Sequence, residues 1–395
     1  MDMATARAQL GSVNDQITAH LLQVCEDMTQ PIASGSFTPN GSNNVVNVPM
    51  RYVGLTRGWL LKVKQNFTNN NGASHAATLT DWGAANLVSN FTMTDLDNYQ
   101  RINTTGWHMF MLNSAKEGWP FGGALLSTAL DTPVKIGNVF SAISATSSIA
   151  AGGGTGSIQM YYWIPAAYSK RDLRGAIYTG VVNATGYVQF TINPTPFVTT
   201  GSDATLAVYT GAGAAADLAF GTCTWTLYQN YLDQVPRYAS GPNTGYPILP
   251  PLSIRSQYRL QSTSLSAISA NQDFPIPFTN FQSFLSASII YDQNGTLAAG
   301  TDINQFKLLA ANTLQFFNLD PITQALRGRI RIKTDWPLGS YMFDFREQPI
   351  NTNQAGNMQL ILNPSSAAAQ SQVLVGWESF ADVNTVLGAQ SLPAS

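Results

Sequence analysis

The chain holds few side chains with intrinsic reactivity, and their spacing argues against catalysis. His20, His75 and His108 are scattered, no two at i, i+4, and neither His75 nor His108 has a cysteine nearby. That spacing suits neither a metal site nor a catalytic triad. Cys25 and Cys223 stand far apart and unaccompanied, which excludes a disulfide framework and a cysteine-rich zinc site. Asp95 and Asp97 lie in a Thr/Asn-rich stretch that reads as a solvated turn, with loop calcium as the alternative. Residues 207–216 follow a strand pattern and fit Gly-x-Gly-x-x-Ala, with Asp233 further on. A dinucleotide turn needs a crossover helix next, but Gly221 interrupts it and residues 222–232 already alternate like a strand. The Gly152–Gly156 run lacks the Lys-Ser/Thr of a phosphate loop and reads as a flexible loop.

Two patterns point to surfaces instead. Arg327, Arg329, Arg331 and Lys333 recur every second residue, which on a strand places them on one face opposite Ile330 and Ile332. Such a stripe suits acidic groups of a neighbouring subunit or lipid phosphates. A solvated face paired with Asp344 and Glu347 is the plainer reading. Tyr161, Tyr162, Trp163 and Tyr168 suit a sugar platform or, more simply, a core.

Composition narrows the class. Charged residues make up only 11% of 395, against a hydrophobic content of 44%. Globular chains usually carry roughly a quarter charged residues. Ser, Thr, Asn and Gln take their place, and an uncharged polar exterior suits protein–protein contact, whose cores are depleted in Lys, Glu and Asp. A formal net charge of −2 argues against specific nucleic-acid binding. No apolar run approaches a bilayer span and no secretory signal is legible at the start.

Apolar residues at three- and four-residue steps predict a helix over 3–28, its face carrying Leu10, Val13, Ile17, Leu21 and Val24. Pro31 and a polar stretch then separate it from the body. Its polar face carries Arg7 against several acids, which favours packing on protein over electrostatic lipid binding. Beyond residue 44 the period becomes two: Val188, Phe190 and Ile192; Cys223, Trp225 and Leu227; Leu285, Ala287 and Ile289 with Ser286 and Ser288 outward; Met358, Leu360 and Leu362. His108 reads as a strand residue, and short helices are expected near 81–89 and 304–312. Many short strands without alternating helices predict an all-β sandwich or jelly-roll protein. The prolines of 236–251 predict an extended linker between two domains. Residues 227–233 and 376–382 share a short aromatic pattern, a weak internal echo.

Several stretches carry a family resemblance. They are Leu79 to Val88 (LTDWGAANLV), Thr105 to His108 (TGWH), Met160 to Ser169 (MYYWIPAAYS) and Gly211 to Ala215 (GAGAA). Leu227 to Pro236 (LYQNYLDQVP), Ala299 to Asn304 (AGTDIN) and Thr334 to Gly339 (TDWPLG) follow in the family's order. Together they resemble the major capsid proteins of tectiviruses, tailless icosahedral phages with an internal membrane. The likeness spans roughly residues 58–351 and fades in the terminal arms.

The resemblance implies an all-β chain of two eight-stranded jelly-roll barrels in tandem, with a short N-terminal helix and few minor helices. The expected layout is a helical arm at 1–30, a first jelly roll at 31–236, a Pro-rich linker at 237–251, a second jelly roll at 252–383 and a tail at 384–395. It further implies a non-enzymatic subunit without cofactors. Three chains would form a pseudo-hexagonal homotrimer that tiles an icosahedral shell, assembled in the host cytoplasm and located in the virion. Implied partners are neighbouring trimers, vertex and minor capsid proteins, and the internal membrane beneath the inner arm. Asn/Gly/Thr-rich loops would form outer towers. A β-sandwich carbohydrate-binding or adhesin module is the alternative.

Overall fold

The computed structural model describes residues 16–382 except 41–43, 73, 118–143, 182–184, 200–204, 215–216, 243, 250–255, 280–281, 311–313, 333–335, 338 and 353–357. Strands dominate, and the few helices are α1 (residues 16–24), α2 (Gly106–Glu117), α3 (Pro321–Ile332) and short 3-10 turns.

Each half of the chain is built from two facing sheets. In the first half, one sheet contains the strands Glu26–Phe37, Leu218–Asp233, Leu55–Asn69 and Gly154–Pro165, in that spatial order. The second half repeats the order with Ser256–Leu265, Ser371–Asp382, Gln282–Gln293 and Ser340–Asp344. The opposing sheets also correspond. Val45–Pro49, Tyr187–Ile192, Val88–Thr94 and Gln100–Thr104 match Phe274–Pro277, Met358–Pro364, Ile303–Ala310 and Leu314–Leu319. A helix follows the last strand of each set, α2 in the first half and α3 in the second. Among the described residues the sheets contain six, nine, four and four strands, the first two being larger because short added strands and the junction between the halves extend these sets.

The nine-stranded sheet exists because the halves are stitched together. Gln100–Thr104 pairs in parallel with Ser256–Leu265, through Ile102 opposite Leu260 and Asn103 opposite Gln261. Across the same junction the Trp82 indole donates to Ser340 Oγ at 3.0 Å and Thr205 donates to Asp292 at 2.7 Å. The first core therefore runs on into the second half through Tyr258, Leu260, Leu285, Leu374 and Phe380. A separate core around Phe284, Ile289, Phe306, Leu360 and Trp377 fills the second barrel.

Period-two alternation places the strands correctly at Tyr187–Ile192, Leu218–Asp233 and Met358–Pro364. Other expectations are corrected. The N-terminal helix ends at 24, and Glu26–Phe37 is an edge strand with a register shift between Pro31 and Ala33. Proline survives there because an edge position or bulge tolerates the missing N–H. Residues 304–312 lie mostly in the strand Ile303–Ala310, and 81–89 provide only the 3-10 turn Ala85–Leu87 before Val88–Thr94. Ser286 and Ser288, expected to be wet, are fully buried, because the outer face of Gln282–Gln293 lies under the junction. Residues 236–248 double back through an Arg237–Pro247 bridge and a Tyr238 N–H bond to Tyr246 O, instead of running extended. The sequence echo is out of phase: Leu227 lies in the first core, whereas Gly376 faces His108 outside the second.

Candidate assembly surfaces

The smaller sites dissolve into structure. Asp95 is buried and accepts from the Asp97 and Tyr99 amides and from Arg101 Nε at 2.6 Å, so it is neither a solvated turn nor an open cation ligand. Tyr209–Gly211 is a strand pairing with Ala77–Leu79 and Phe197–Thr199, and the next strand begins at Leu218, which leaves too few residues between them for a crossover helix. Gly152 and Gly153 adopt positive φ (73° and 89°) in a tight turn before Gly154–Pro165. Tyr162 is a core residue whose hydroxyl donates to Ala85 O at 2.8 Å, while Tyr161 and Trp163 are half-buried on the opposite face.

The instructive features are the two corresponding helices. Trp107, Met109, Phe110, Met111 and Leu112 make α2 apolar all round, so it must be buried. On its own barrel, Asn113 makes reciprocal bonds of 2.9 and 2.7 Å with Trp163. On the other side it lies on the second barrel. The Thr105 amide donates to Ser262 Oγ at 3.0 Å, and Lys116 Nζ donates to Glu378 at 2.9 Å and to the Tyr258 hydroxyl at 3.1 Å. His108, expected on a strand, is on this helix because Thr105-Gly106 begins it. Its ring rests on Gly376, so close that a Cβ there would stand 2.2 Å from Cδ2. Its Nδ1 bonds Thr104 Oγ1 at 2.6 Å. Burial lowers the His108 pKa to about 3 against the weaker pull of Glu378, so the ring is neutral.

Glu378 is fully buried. It accepts from Lys116, from Tyr258 at 2.6 Å and from Ser286 at 2.8 Å. Burial raises its pKa, but Lys116, Tyr258 and Arg346 outweigh that and hold it below the usual carboxylate range. Burial and the same carboxylate push Tyr258 well above the usual phenol value, and Tyr168 to about 12. Lys116 Nζ also sits 4.0 Å from the Tyr168 ring centroid. This cluster cements the two barrels together.

In α3 the same position in the fold carries a different surface. Asp320 caps it, accepting from the Thr323 amide at 2.9 Å and its hydroxyl at 2.5 Å, and Pro321 begins it. Pro321, Gln324 and Gly328 face the barrel, where Gln324 Nε2 donates to Met342 O at 2.8 Å. Ile322, Leu326 and Ile330, four residues apart, form an outward apolar stripe 54%, 45% and 67% exposed. Leu314 and Phe316 on the adjoining edge strand are 59% and 56% exposed. A groove of about 520 Å³ beside them is lined by Phe316, Phe317, Arg327, Phe345 and Glu347.

The basic stripe is therefore corrected: Arg327, Arg329 and Arg331 are helical, and alternate residues of a helix diverge by about 200°. Arg327 is exposed, its guanidinium 5.9 Å from the Phe317 centroid; Arg329 is half-buried; Arg331 sits in the last turn. Lys333 lies outside the described residues, and Asp344 pairs with Arg346 at 2.8 Å. In the N-terminal arm, Leu10 and Val13 lie outside the described residues. Leu21 is buried with Leu55, Leu173 and Leu232, Ile17 packs beside it, and Val24 points outward while Leu22 takes the packed position. No helix among the described residues is long and apolar enough to cross a membrane.

Two barrels in tandem, each duplicating the other's strand order, define a double jelly-roll protein. Solved structures share that fold. STIV MCP matches at TM-score 0.64 and 8% identity over 93% of this chain and 100% of that one. PBCV-1 VP54 matches at 0.52 and 10%, over 90% and 94%. The models for the N-terminal and C-terminal parts of the P3 major capsid protein match residues 12–235 and 255–394. Major capsid protein P3 of Enterobacteria phage PRD1 is 37% identical over 391 residues, covering 98% of this chain and 96% of that protein. This chain belongs to the P3 major capsid protein family, whose members build the capsid shell of the virion and are structural proteins, not enzymes.

Proposed function

We propose that three copies close into a pseudo-hexagonal trimer and that these trimers tile an icosahedral shell over an internal lipid membrane. The observation that carries this reading is the matching strand order of the two halves joined side by side through α2. Such a chain supplies two similar corners of a hexagon, and three chains supply six. Heterologous contacts close into a ring when the rotation permits. The low charge leaves surface free for repeated, individually weak contacts that avidity makes durable.

On this reading the residues before about 25 and after 383 are arms, with the α1 end toward the membrane. Residues 237–251 join the two jelly rolls. Neighbouring trimers and vertex and minor capsid proteins are the partners, no specific nucleic acid is bound, and assembly takes place in the host cytoplasm. Light scattering after size exclusion tests the first step. A stable species near three times 42.6 kDa is expected, and a monomer at high concentration overturns it.

A further inference from the structure

We infer that a pocket between the two barrels, at the end away from α1, binds a neutral hexose, the terminal unit of a glycan. The strand Leu55–Asn69 sets the two ends. Leu55 packs with Leu21 of α1, while the Asn69 side chain, at the other end, donates to Ile149 O at 3.1 Å. Ile149 pairs with Ala77, so Ala77–Leu79 and the residues after it lie at that far end. The second barrel adds the turn that follows Gln293. Between them is a pocket of about 240 Å³, below the ~300–1,000 Å³ of sites for drug-sized ligands. It suits one sugar ring rather than an oligosaccharide.

Hydroxyl groups, not charges, make the pocket polar. Thr80 and Thr205 are buried in its floor, where Thr80 donates to Ala207 O at 2.8 Å and Thr205 to Asp292 at 2.7 Å. A hydroxyl carries one hydrogen, so toward the pocket these two can only accept. On the wall, Thr210 stands opposite Thr78 in the ladder, which puts both side chains on one face of the sheet. Thr210 Oγ1 is buried and has no hydrogen-bond partner among the described residues. A ligand that bonds it relieves the cost of that burial. The apolar lining is Leu297 and Trp82, whose indole N–H is already engaged by Ser340.

This lining selects the ligand class. Asp81 is the one carboxylate among the described lining residues, and no Lys, Arg or His joins it, so anions are repelled. A calcium ion takes about 6–8 oxygens and usually several carboxylates, which the pocket does not supply. A neutral pyranose matches both halves of the lining. Its hydroxyls can donate to Thr80, Thr205 and Asp81 and accept from Thr210, while its C–H face rests on Trp82 and Leu297. Thr78 and Thr296 are exposed at the mouth, where the rest of a glycan would leave. With α1 toward the membrane this end faces outward, but binding itself does not depend on that orientation or on the trimer.

The test titrates the full chain, in whatever assembly state it adopts, with the methyl glycosides of glucose, galactose and mannose. Saturation-transfer NMR and calorimetry read the binding. Saturable binding of at least one glycoside is expected, with weaker binding of the corresponding uronate because of Asp81. Thr210→Val keeps the side-chain shape, removes the hydroxyl and should weaken affinity roughly two- to tenfold, the worth of one hydrogen bond. The inference is overturned by no saturable binding of any glycoside, by unchanged affinity in Thr210→Val, or by tighter binding of the uronate. If circular dichroism shows that Thr210→Val does not fold, Thr296→Trp closes the mouth from an exposed position, and binding that survives it overturns the site. Calcium binding without sugar that is lost in Asp81→Asn overturns the ligand class.

Discussion

Gly376→Ala isolates the contact between the two barrels with one methyl group. Gly376 is not at positive φ, so alanine is conformationally permitted and on its own stabilises by about 0.4–1 kcal/mol through the unfolded chain. Against that, the new Cβ would stand 2.2, 2.3 and 2.5 Å from Cδ2, Cγ and Nε2 of His108, all well inside contact distance. The ring cannot swing away, since it is fully buried, tied to Thr104 at 2.6 Å and flanked by Trp107 at 5.5 Å between centroids. Helix and sheet must therefore separate by about an ångström, and overpacking of this kind costs roughly 1–3 kcal/mol. The clash wins by up to about 2 kcal/mol, and because a chain of this length shifts by only about 1 °C per kcal/mol, a drop of about 1–3 °C in melting temperature is expected by calorimetry. His108→Ala in the same background removes the obstacle, so the double variant should be more stable than the summed single effects by roughly 1–3 kcal/mol. An unchanged melting temperature in Gly376→Ala, or strict additivity in the cycle, would refute the close packing of His108 on Gly376.

Other consequences are directly measurable. His108 is neutral when folded, with a pKa of about 3, while the unfolded chain binds a proton below about 6.5. Its contribution is complete above that pH and is lost as pH falls toward 3, at about 1.4 kcal/mol per unit. Denaturant midpoints between pH 7 and 4 should decline, and His108→Ala should flatten the upper part of that decline. Lys116→Met leaves Glu378 buried without its cation and should cost roughly 3–5 kcal/mol, with Glu378→Gln in the same background recovering part of it in urea titrations. Asp320→Ala removes the α3 cap and should cost about 1 kcal/mol, read as faster amide exchange in that helix.

Legibility in the sequence follows the length scale of the interactions. The all-β class was readable because inward residues such as Val188, Phe190 and Ile192 answer to a period set by the strand itself. Errors arise where a distant segment alters the environment. Ser286 and Ser288 look like a wet face, yet both are fully buried, and Ser286 donates to Glu378, the carboxylate that α2, far away in sequence, engages through Lys116. The basic stripe failed differently, because Arg327 to Lys333 fits a period of two. The local signal that decides against a strand is Asp320-Pro321, an N-cap followed by a first-turn proline, with Ile322, Leu326 and Ile330 at helical steps beyond it. The assembly surface was the least legible part, because an apolar helical stripe usually marks the face turned toward a chain's own core. Only the structure shows that α3 turns Gln324 and Gly328 inward and Ile322, Leu326 and Ile330 out. The stripe's period is the one a core-facing helix would show, so periodicity alone could not tell which side of α3 faces the barrel; the Gln324 bond to Met342 O and the buried Gly328 decide it.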